Sequence, residues 1–170
     1  MNENTRPKNL ILRQAQLLPG KYKNFSGAGS RYNPEGKRNF CVILDPETTD
    51  ALIEEGWNVK FTKPPKDKNI EPTPYLKVNV SYAKSAPNVK LITAEEGRVT
   101  RLTEKTIGEV DYAEIQYVDL NITPSFYDMG DGKTGYSAYL KSMNVIIDDD
   151  PVGDMYEDDI DDEEGFDEEE

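Results

Sequence analysis

Apolar and polar side chains alternate along much of the chain between residues 9 and 147. The clearest case is YLKVNVSY, residues 75–82, in which every second side chain from Leu76 onward is apolar. A period of two is typical of a strand with one buried face. The same pattern, less regular, recurs in six other segments: residues 9–18, 38–44, 57–61, 88–93, 115–122 and 135–147. The chain is therefore predicted to form six or seven strands.

The last of these segments changes phase part of the way along. Its apolar positions are even-numbered up to Leu140 and odd-numbered from Met143 onward. One extra residue near Ser142, a β-bulge, would keep both sets on the same face. Short helices are predicted only at residues 46–56 and 102–110. Strands with few and short helices favour a mainly β domain, a small antiparallel barrel or sandwich.

Charge divides the chain into two parts. The formal net charge is -13, but 15 of the 33 acidic residues lie between Asp148 and Glu170, where there is no Lys or Arg. The 20 basic residues thus face 18 acidic ones in residues 1–147, which carry a net charge of about +2. A segment with so many like charges and so few apolar residues cannot compact. We therefore predict a folded domain at residues 1–147 and a disordered acidic tail at residues 148–170.

The composition excludes several kinds of chemistry. The chain has no His and a single Cys, Cys41, which leaves no internal disulfide, no usual zinc site and no histidine-based catalysis. GDGKTG, residues 130–135, lacks the first glycine of a phosphate-binding loop and lies between two predicted strands, so a hairpin turn is the better interpretation. A nuclease centre would need Asp111, Glu114 and Asp119 to converge, but their spacing fits no known signature. We expect no catalytic residue, no metal and no cofactor.

Targeting signals are also missing from the sequence. No apolar run approaches the roughly 18 to 20 residues of a membrane-spanning helix, and the first residues lack the apolar stretch of a signal peptide. We therefore expect a cytoplasmic protein with no membrane partner.

The basic half of the domain carries the candidate chemistry, because its cations are interleaved with aromatic residues. Single-stranded nucleic acids are bound by this mixture, since cations neutralise phosphates and aromatic rings stack on bases of any identity. Phe40, Trp57 and Phe61 lie among aliphatic residues and are expected in the core. The predicted DNA-binding residues are Lys21, Tyr22, Lys23, Phe25, Arg31, Tyr32, Lys37, Arg38, Lys60 and Lys77. Of these, Tyr22, Phe25 and Tyr32 are expected to stack, and one of Lys37 and Arg38 to face the ligand.

Several segments resemble phage-type single-stranded DNA-binding proteins, which combine an OB-fold with an acidic C-terminal tail. The resemblance runs loosely over residues 9–147. It is strongest at Tyr32-Asn33, Gly36, Arg38-Asn39-Phe40 and residues 56–60. It implies an OB-like barrel that coats single-stranded DNA during replication or recombination, in the host cytoplasm if the protein is phage-encoded. It also implies that the tail recruits replication enzymes.

The acidic tail is expected to occupy the basic groove of its own domain as a phosphate mimic and, once displaced, to dock on replication or recombination proteins. Its apolar anchors would be Tyr156, Ile160 and Phe166. Tails of this class often finish on an aromatic residue, whereas four acidic residues follow Phe166 here. A merely solubilising tail is the main alternative. An RNA-binding or annealing module and an acidic DNA mimic stay open as alternatives, and the sequence does not give the oligomeric state.

Overall fold

The computed structural model describes residues 6–29, 34–63, 69–83 and 85–148. Within these ranges the chain forms one mixed β-sheet, one α-helix and two 3-10 segments. The strands are β1 Leu10–Ala15, β2 Lys23–Asn24, β3 Arg38–Ile43, β4 Val59–Phe61, β5 Pro74–Val80, β6 Asn88–Thr93, β7 Val99–Leu102, β8 Ile115–Asp128 and β9 Thr134–Ile147. Helix α1 is Pro46–Glu55, and the 3-10 segments are Gly20–Tyr22 and Ile107–Tyr112.

Strand β9 organises the sheet. The strand order is β1-β8-β9-β5-β3-β2, with β4 added to β5, and with β6 joined to β9 and followed by β7. β9 is antiparallel to β8 along its whole length and parallel to both β5 and β6. The expectation of an antiparallel sheet is therefore wrong at these two pairs, because long crossovers join their strands: β6 to β8 lie between β5 and β9, and β7 and β8 lie between β6 and β9.

The sheet is not closed by its ladders. Within the described residues, the segment that follows β1 meets β3 at a single bridge, between Leu17 and Val42. Hydrogen bonds from the Leu18 amide to the Cys41 carbonyl (2.9 Å) and from the Ile43 amide to the Gln16 carbonyl (2.8 Å) support it. The predicted mainly β class is confirmed. The predicted OB-like barrel is not confirmed, since the described strands leave the sheet open along this line.

The core is built from the alternate residues of the strands. Phe40 and Val42 of β3 and Leu76 and Val78 of β5 are fully buried on one face of the sheet. Trp57 is 5% exposed, and its Nε1 donates to Glu55 Oε1 over 3.0 Å. The core positions predicted for Phe40 and Trp57 are therefore confirmed.

Phe61 is a correction, because it is 49% exposed. Val59, on the same face of β4, packs against the core, but Phe61 is the last residue of this three-residue strand and lies beyond it. The alternation was interpreted correctly as a strand, but the strand runs past the edge of the core.

The first predicted helix is confirmed as α1. Asp45 Oδ1 accepts a hydrogen bond from the Thr48 amide at 2.7 Å, and Gly56 ends the helix with a φ of 96°. The Thr48 amide and hydroxyl hold the pKa of the Asp45 carboxyl below its usual range. Both ends of α1 thus follow from a capping acid and a glycine that tolerates a left-handed conformation.

The second predicted helix, residues 102–110, is wrong in part. Leu102 ends strand β7, and a 3-10 helix follows only from Ile107 to Tyr112. The buried side chains of this segment, Ile107 and Val110, are three residues apart, which suits a helix of three residues per turn.

The predicted bulge and hairpin are both confirmed. The pairing shifts from Asn121 with Ser142 to Ile122 with Leu140, which leaves Lys141 as the extra residue. In GDGKTG the Met129 amide donates to the Lys133 carbonyl at 2.9 Å, which closes the turn between β8 and β9.

Strand β9 ends at Ile147, where the domain was predicted to end. The tail beyond Asp148 lies outside the described residues, so its disorder stays a prediction. None of the helices in the described ranges is long and apolar enough to cross a membrane.

Candidate nucleic-acid interface

A groove with a volume of about 630 Å³ lies on the face of β3 and β5 that points away from the core. Its lining includes four cations and three aromatic rings. These are Lys21, Lys23, Lys60, Lys77, Tyr22, Tyr75 and Tyr112. Among the described residues that line it, only Asp111 is acidic, so these residues carry a positive balance of charge.

Strand register places the lysines next to the tyrosines on the floor of the groove. Cys41 of β3 pairs with Lys77 of β5, and Tyr75 of β5 pairs with Lys60 of β4. Directly paired residues share one face of a sheet, with their Cβ atoms about 5 Å apart. Lys60, Tyr75 and Lys77 therefore form one continuous surface across two strands.

The segment between β1 and β2 adds the wall beside this floor. The 3-10 turn Gly20–Tyr22 brings the Tyr22 ring edge-on against the Tyr75 ring, with centroids 5.4 Å apart. The Lys21 ammonium lies 5.3 Å from the Tyr22 ring centroid, within the range of a cation–π contact. Both rings are half-buried, so each keeps part of its surface exposed.

Asp111 fixes the opposite wall. Its two carboxylate oxygens accept hydrogen bonds from the Phe25 amide (2.7 Å) and the Ser26 amide (2.9 Å). Asn24 Oδ1 accepts from the Gly27 amide at 2.9 Å, which closes the turn that follows β2. Two backbone amides thus donate to the carboxylate of Asp111, and these hydrogen bonds hold the turn after β2 against the 3-10 helix Ile107–Tyr112.

The remaining acid–base groups of the floor are neutral at physiological pH. Burial raises the pKa of the Cys41 thiol to about 11, although Lys77 and Lys60 oppose that shift. Burial also raises the pKa of the Tyr75 hydroxyl, and Cys41 and Tyr22 add to the effect. The charge presented by the floor therefore comes from its lysines.

Five of the ten predicted DNA-binding residues come together in this groove. They are Lys21, Tyr22, Lys23, Lys60 and Lys77. Lys23 is half-buried, with its Nζ 3.4 Å from the Val110 carbonyl, whereas Lys21, Lys60 and Lys77 are exposed. Arg31 and Tyr32 lie outside the described residues, as do Tyr156, Ile160 and Phe166 of the tail.

Phe25 is a correction, since it is not available for stacking on a base. Its side chain is fully buried and stacks on Phe40, with ring centroids 4.9 Å apart and an angle of 18° between the planes. The glycine-rich sequence around it offered no apolar neighbour, but the partner ring comes from β3, which pairs with β2 beside it.

Lys37 and Arg38 do not line the groove. Arg38 Nη1 lies 3.6 Å from Glu104 Oε2, Nη2 lies 3.4 Å from the Glu104 carbonyl, and the guanidinium lies 5.5 Å from the Tyr82 ring centroid. A DNA contact at either residue stays a prediction, and it would lie outside this groove.

Sequence reasoning missed two of the three groove tyrosines. Tyr75 could have been found, because the alternation of β5 puts it on the same face as Lys77. Tyr112, which is 87% exposed, lies at the end of a 3-10 helix that the sequence did not predict at this position. No local signal in the sequence brings that helix to β2.

Metal chemistry has no support in the described residues, where no group of three or more His, Cys, Asp or Glu side chains could hold an ion. Asp111 is engaged by the two amides already described, and Asp119 Oδ1 accepts a hydrogen bond from the Gln14 amide at 2.8 Å. Both carboxylates therefore serve as acceptors for the backbone.

Comparison with known proteins gives the family. No curated protein matches the chain. One family model, described as "Putative phage ssDNA-binding domain", matches residues 1–167 and so includes the groove and nearly all of the acidic segment. The chain therefore belongs to this family of phage single-stranded DNA-binding domains.

Proposed function

We propose that the groove over β3 and β5 binds single-stranded DNA without sequence preference. The observation that carries the proposal is the surface on which Lys60, Tyr75 and Lys77 lie side by side, with Lys21 and Tyr22 as its wall. The lysines would neutralise phosphates, and the rings would stack on unpaired bases. Neither kind of contact depends on base identity.

The same contacts favour a single strand over a duplex. In duplex DNA the faces of the bases are already stacked on their neighbours, so a tyrosine ring gains nothing without unstacking them. A duplex would offer the groove its phosphates alone. Single-stranded DNA offers both phosphates and exposed base faces, and it is therefore the preferred ligand.

The experiment is fluorescence anisotropy with labelled single-stranded DNA, duplex DNA and RNA of equal length, each titrated from low to high salt. We expect tightest binding to single-stranded DNA, and a negative slope of log affinity against log salt of about 0.7 for every phosphate contact. Equal affinity for duplex, or a flat salt response, would overturn the proposal. A preference for RNA would instead indicate an RNA-binding or annealing module.

The biological role that follows is coating of single-stranded DNA in phage replication or recombination, without catalysis. It rests on membership of the family and on a groove that offers charge and stacking surface. In an OB-like barrel, the sheet would close where the segment after β1 meets β3, at the bridge between Leu17 and Val42.

The acidic tail would regulate this groove and recruit partners. Its 15 acidic residues carry the charge of a polyanion, so the tail would compete with DNA for the groove lysines. Truncation after Ile147 should tighten DNA binding, most of all at low salt, where the Debye length is about 30 Å at 0.01 M. Phe166→Ala should weaken capture of a replication partner by the full chain. Unchanged affinity at low salt would mean that the tail only solubilises the protein.

A further inference from the structure

A row of paired residues runs from the groove across the outer face of the sheet. Asn39 of β3 pairs with Asn79 of β5, Asn79 pairs with Tyr139 of β9, and Tyr139 pairs with Thr123 of β8. Paired residues share a face, so all four belong to the face that carries Lys77 and Tyr75. Their neighbours in sequence confirm it, because Val78 and Ala138 pair with each other and are both buried.

Tyr139 is the aromatic residue of this row. Its side chain is 39% exposed, although it lies in the middle of the longest ladder of the sheet. Two of the side chains beside it are small, Ser137 two residues earlier on β9 and Thr123 opposite on β8. Small polar neighbours leave the ring accessible from above, which is the arrangement that a stacking platform requires.

The distance from the groove is short. Neighbouring strands lie about 4.8 Å apart, and two residues along a strand span about 6.7 Å, so the Cα atoms of Lys77 and Tyr139 are about 8 Å apart. Asn79 lies between them, and its Nδ2 donates to the Ala138 carbonyl at 3.2 Å. That bond fastens β5 to β9 at a point where their ladder has only two residue pairs. Lys77 and Tyr139 are thus held on one rigid surface.

Among the described residues, this row contains no acidic side chain. The row contains amides, a hydroxyl and a phenol, and the residue two positions before Asn79 is Lys77, while the residue two positions before Tyr139 is Ser137. A strand that leaves the groove along the row would therefore meet no like charge. Arg38, by contrast, which precedes Asn39 on β3, is accompanied by Glu104.

We propose that Tyr139 is a second stacking site, on which a base of the same DNA strand rests after the strand leaves the groove. The inference rests on the proposed function of the groove and extends it: the binding path crosses β5 to β9 at Asn79. A long ligand would use the groove and Tyr139 together, whereas a very short one would fill the groove alone.

The test is a length series of oligothymidylates with matched variants. OB-type modules occupy about 4 to 16 nucleotides, so a dinucleotide, which is too short to fill the groove and reach Tyr139 together, and a ligand of about 12 nucleotides separate the two sites. Tyr139→Ala should weaken binding of the longer ligand by about 5- to 150-fold and leave the shorter one unchanged. Tyr139→Phe, which keeps the ring, should bind both like the parent protein. Tyr117→Ala, at the far end of β8, is the matched control and should affect neither.

Tyr75→Ala distinguishes failure of this inference from failure of the proposed function. It should weaken both ligands, because Tyr75 lies in the groove itself. If Tyr75→Ala loses affinity while Tyr139→Ala binds the longer ligand normally, the groove is retained as the binding site and the second site is overturned. If neither variant loses affinity, the proposed function fails as well.

A measurement on the unaltered protein covers the case in which Tyr139→Ala does not fold. Oligonucleotides of both lengths that contain 5-iododeoxyuridine would be photocrosslinked to the full chain and the adducts mapped by mass spectrometry. We expect adducts at Tyr75 or Tyr22 with both lengths, and at Tyr139 with the longer one. Absence of Tyr139 adducts while groove adducts form would overturn the second site.

Discussion

Two aromatic pairs lie on opposite faces of the sheet and have different roles. Phe25 and Phe40 stack 4.9 Å apart in the core and are fully buried, whereas Tyr22 and Tyr75 meet edge-on at 5.4 Å beside the groove and keep part of their surface exposed. The segments around Tyr22 and Phe25 are adjacent in the chain, and both carry cations. What separates the two pairs is the face of the sheet that each ring meets, and for Tyr22 and Phe25, which lie outside the strands, tertiary packing decides that face.

The largest expected effect is a loss of stability when one ring of the core pair, Phe25 and Phe40, is removed. Phe25→Ala would leave a cavity beside Phe40 and should lower the free energy of unfolding by about 3 to 5 kcal/mol. Chemical denaturation measures the loss. Tyr22→Ala is the control and should change stability far less. Equal losses in the two variants would show that the pairs do not differ as described.

The next effect concerns binding by the exposed pair. Tyr75→Ala should weaken binding of single-stranded DNA by about 1 to 3 kcal/mol, because a stacking surface is lost, while most of the stability is kept. Anisotropy titration gives the first quantity and thermal unfolding the second. A large drop in stability with proportionate loss of binding would assign Tyr75 to the core instead.

Removal of a groove lysine is expected to have a smaller effect on DNA affinity. Lys77→Gln should weaken all sequences about equally and reduce the salt slope by about 0.7, as for one phosphate contact. Lys105→Gln, an exposed cation outside the groove lining, is the control and should leave the slope unchanged. Loss of affinity for particular sequences only would point to base recognition and contradict the proposal.

The effect that is smallest near neutral pH is a pH dependence of stability that comes from Cys41. Because burial raises the pKa of Cys41 from 9.0 to about 11, the folded state holds its proton where the unfolded state has lost it. Stability should therefore fall as pH rises from about 9 toward 11. Cys41→Ala should lack this contribution, which denaturation at several pH values would detect. Parallel profiles for the two proteins would contradict the shift.

Sequence pattern predicted the strands well, because one-sided burial leaves a period of two in each. It also predicted α1, since Asp45 and Gly56 give both ends a local signal. It failed at β7 and the 3-10 helix Ile107–Tyr112, where every residue of β7 except Leu102 is exposed and no alternation results. Strand neighbours were likewise beyond prediction, because the pairing of β5 with β9 involves residues 60 positions apart.

The candidate site was predicted to the extent that it depends on local composition. Lys21, Tyr22 and Lys23 are adjacent in sequence and remain together in the groove. Phe25 was misplaced because its burial depends on Phe40, which the sequence alone does not bring beside it. Tyr112 was missed for the related reason that its position depends on how the 3-10 helix packs against β2.

The central position of β9 also bears on how fast the protein folds. Its partners β5, β6 and β8 all precede it, and its pairs with β5 and β6 join distant parts of the chain. A topology of high contact order requires large loops to close before the contacts that stabilise them can form. Refolding should therefore take milliseconds to seconds, as in other β-rich domains, and a variant that breaks the β5–β9 pairing should refold more slowly only if that pairing already exists in the transition state.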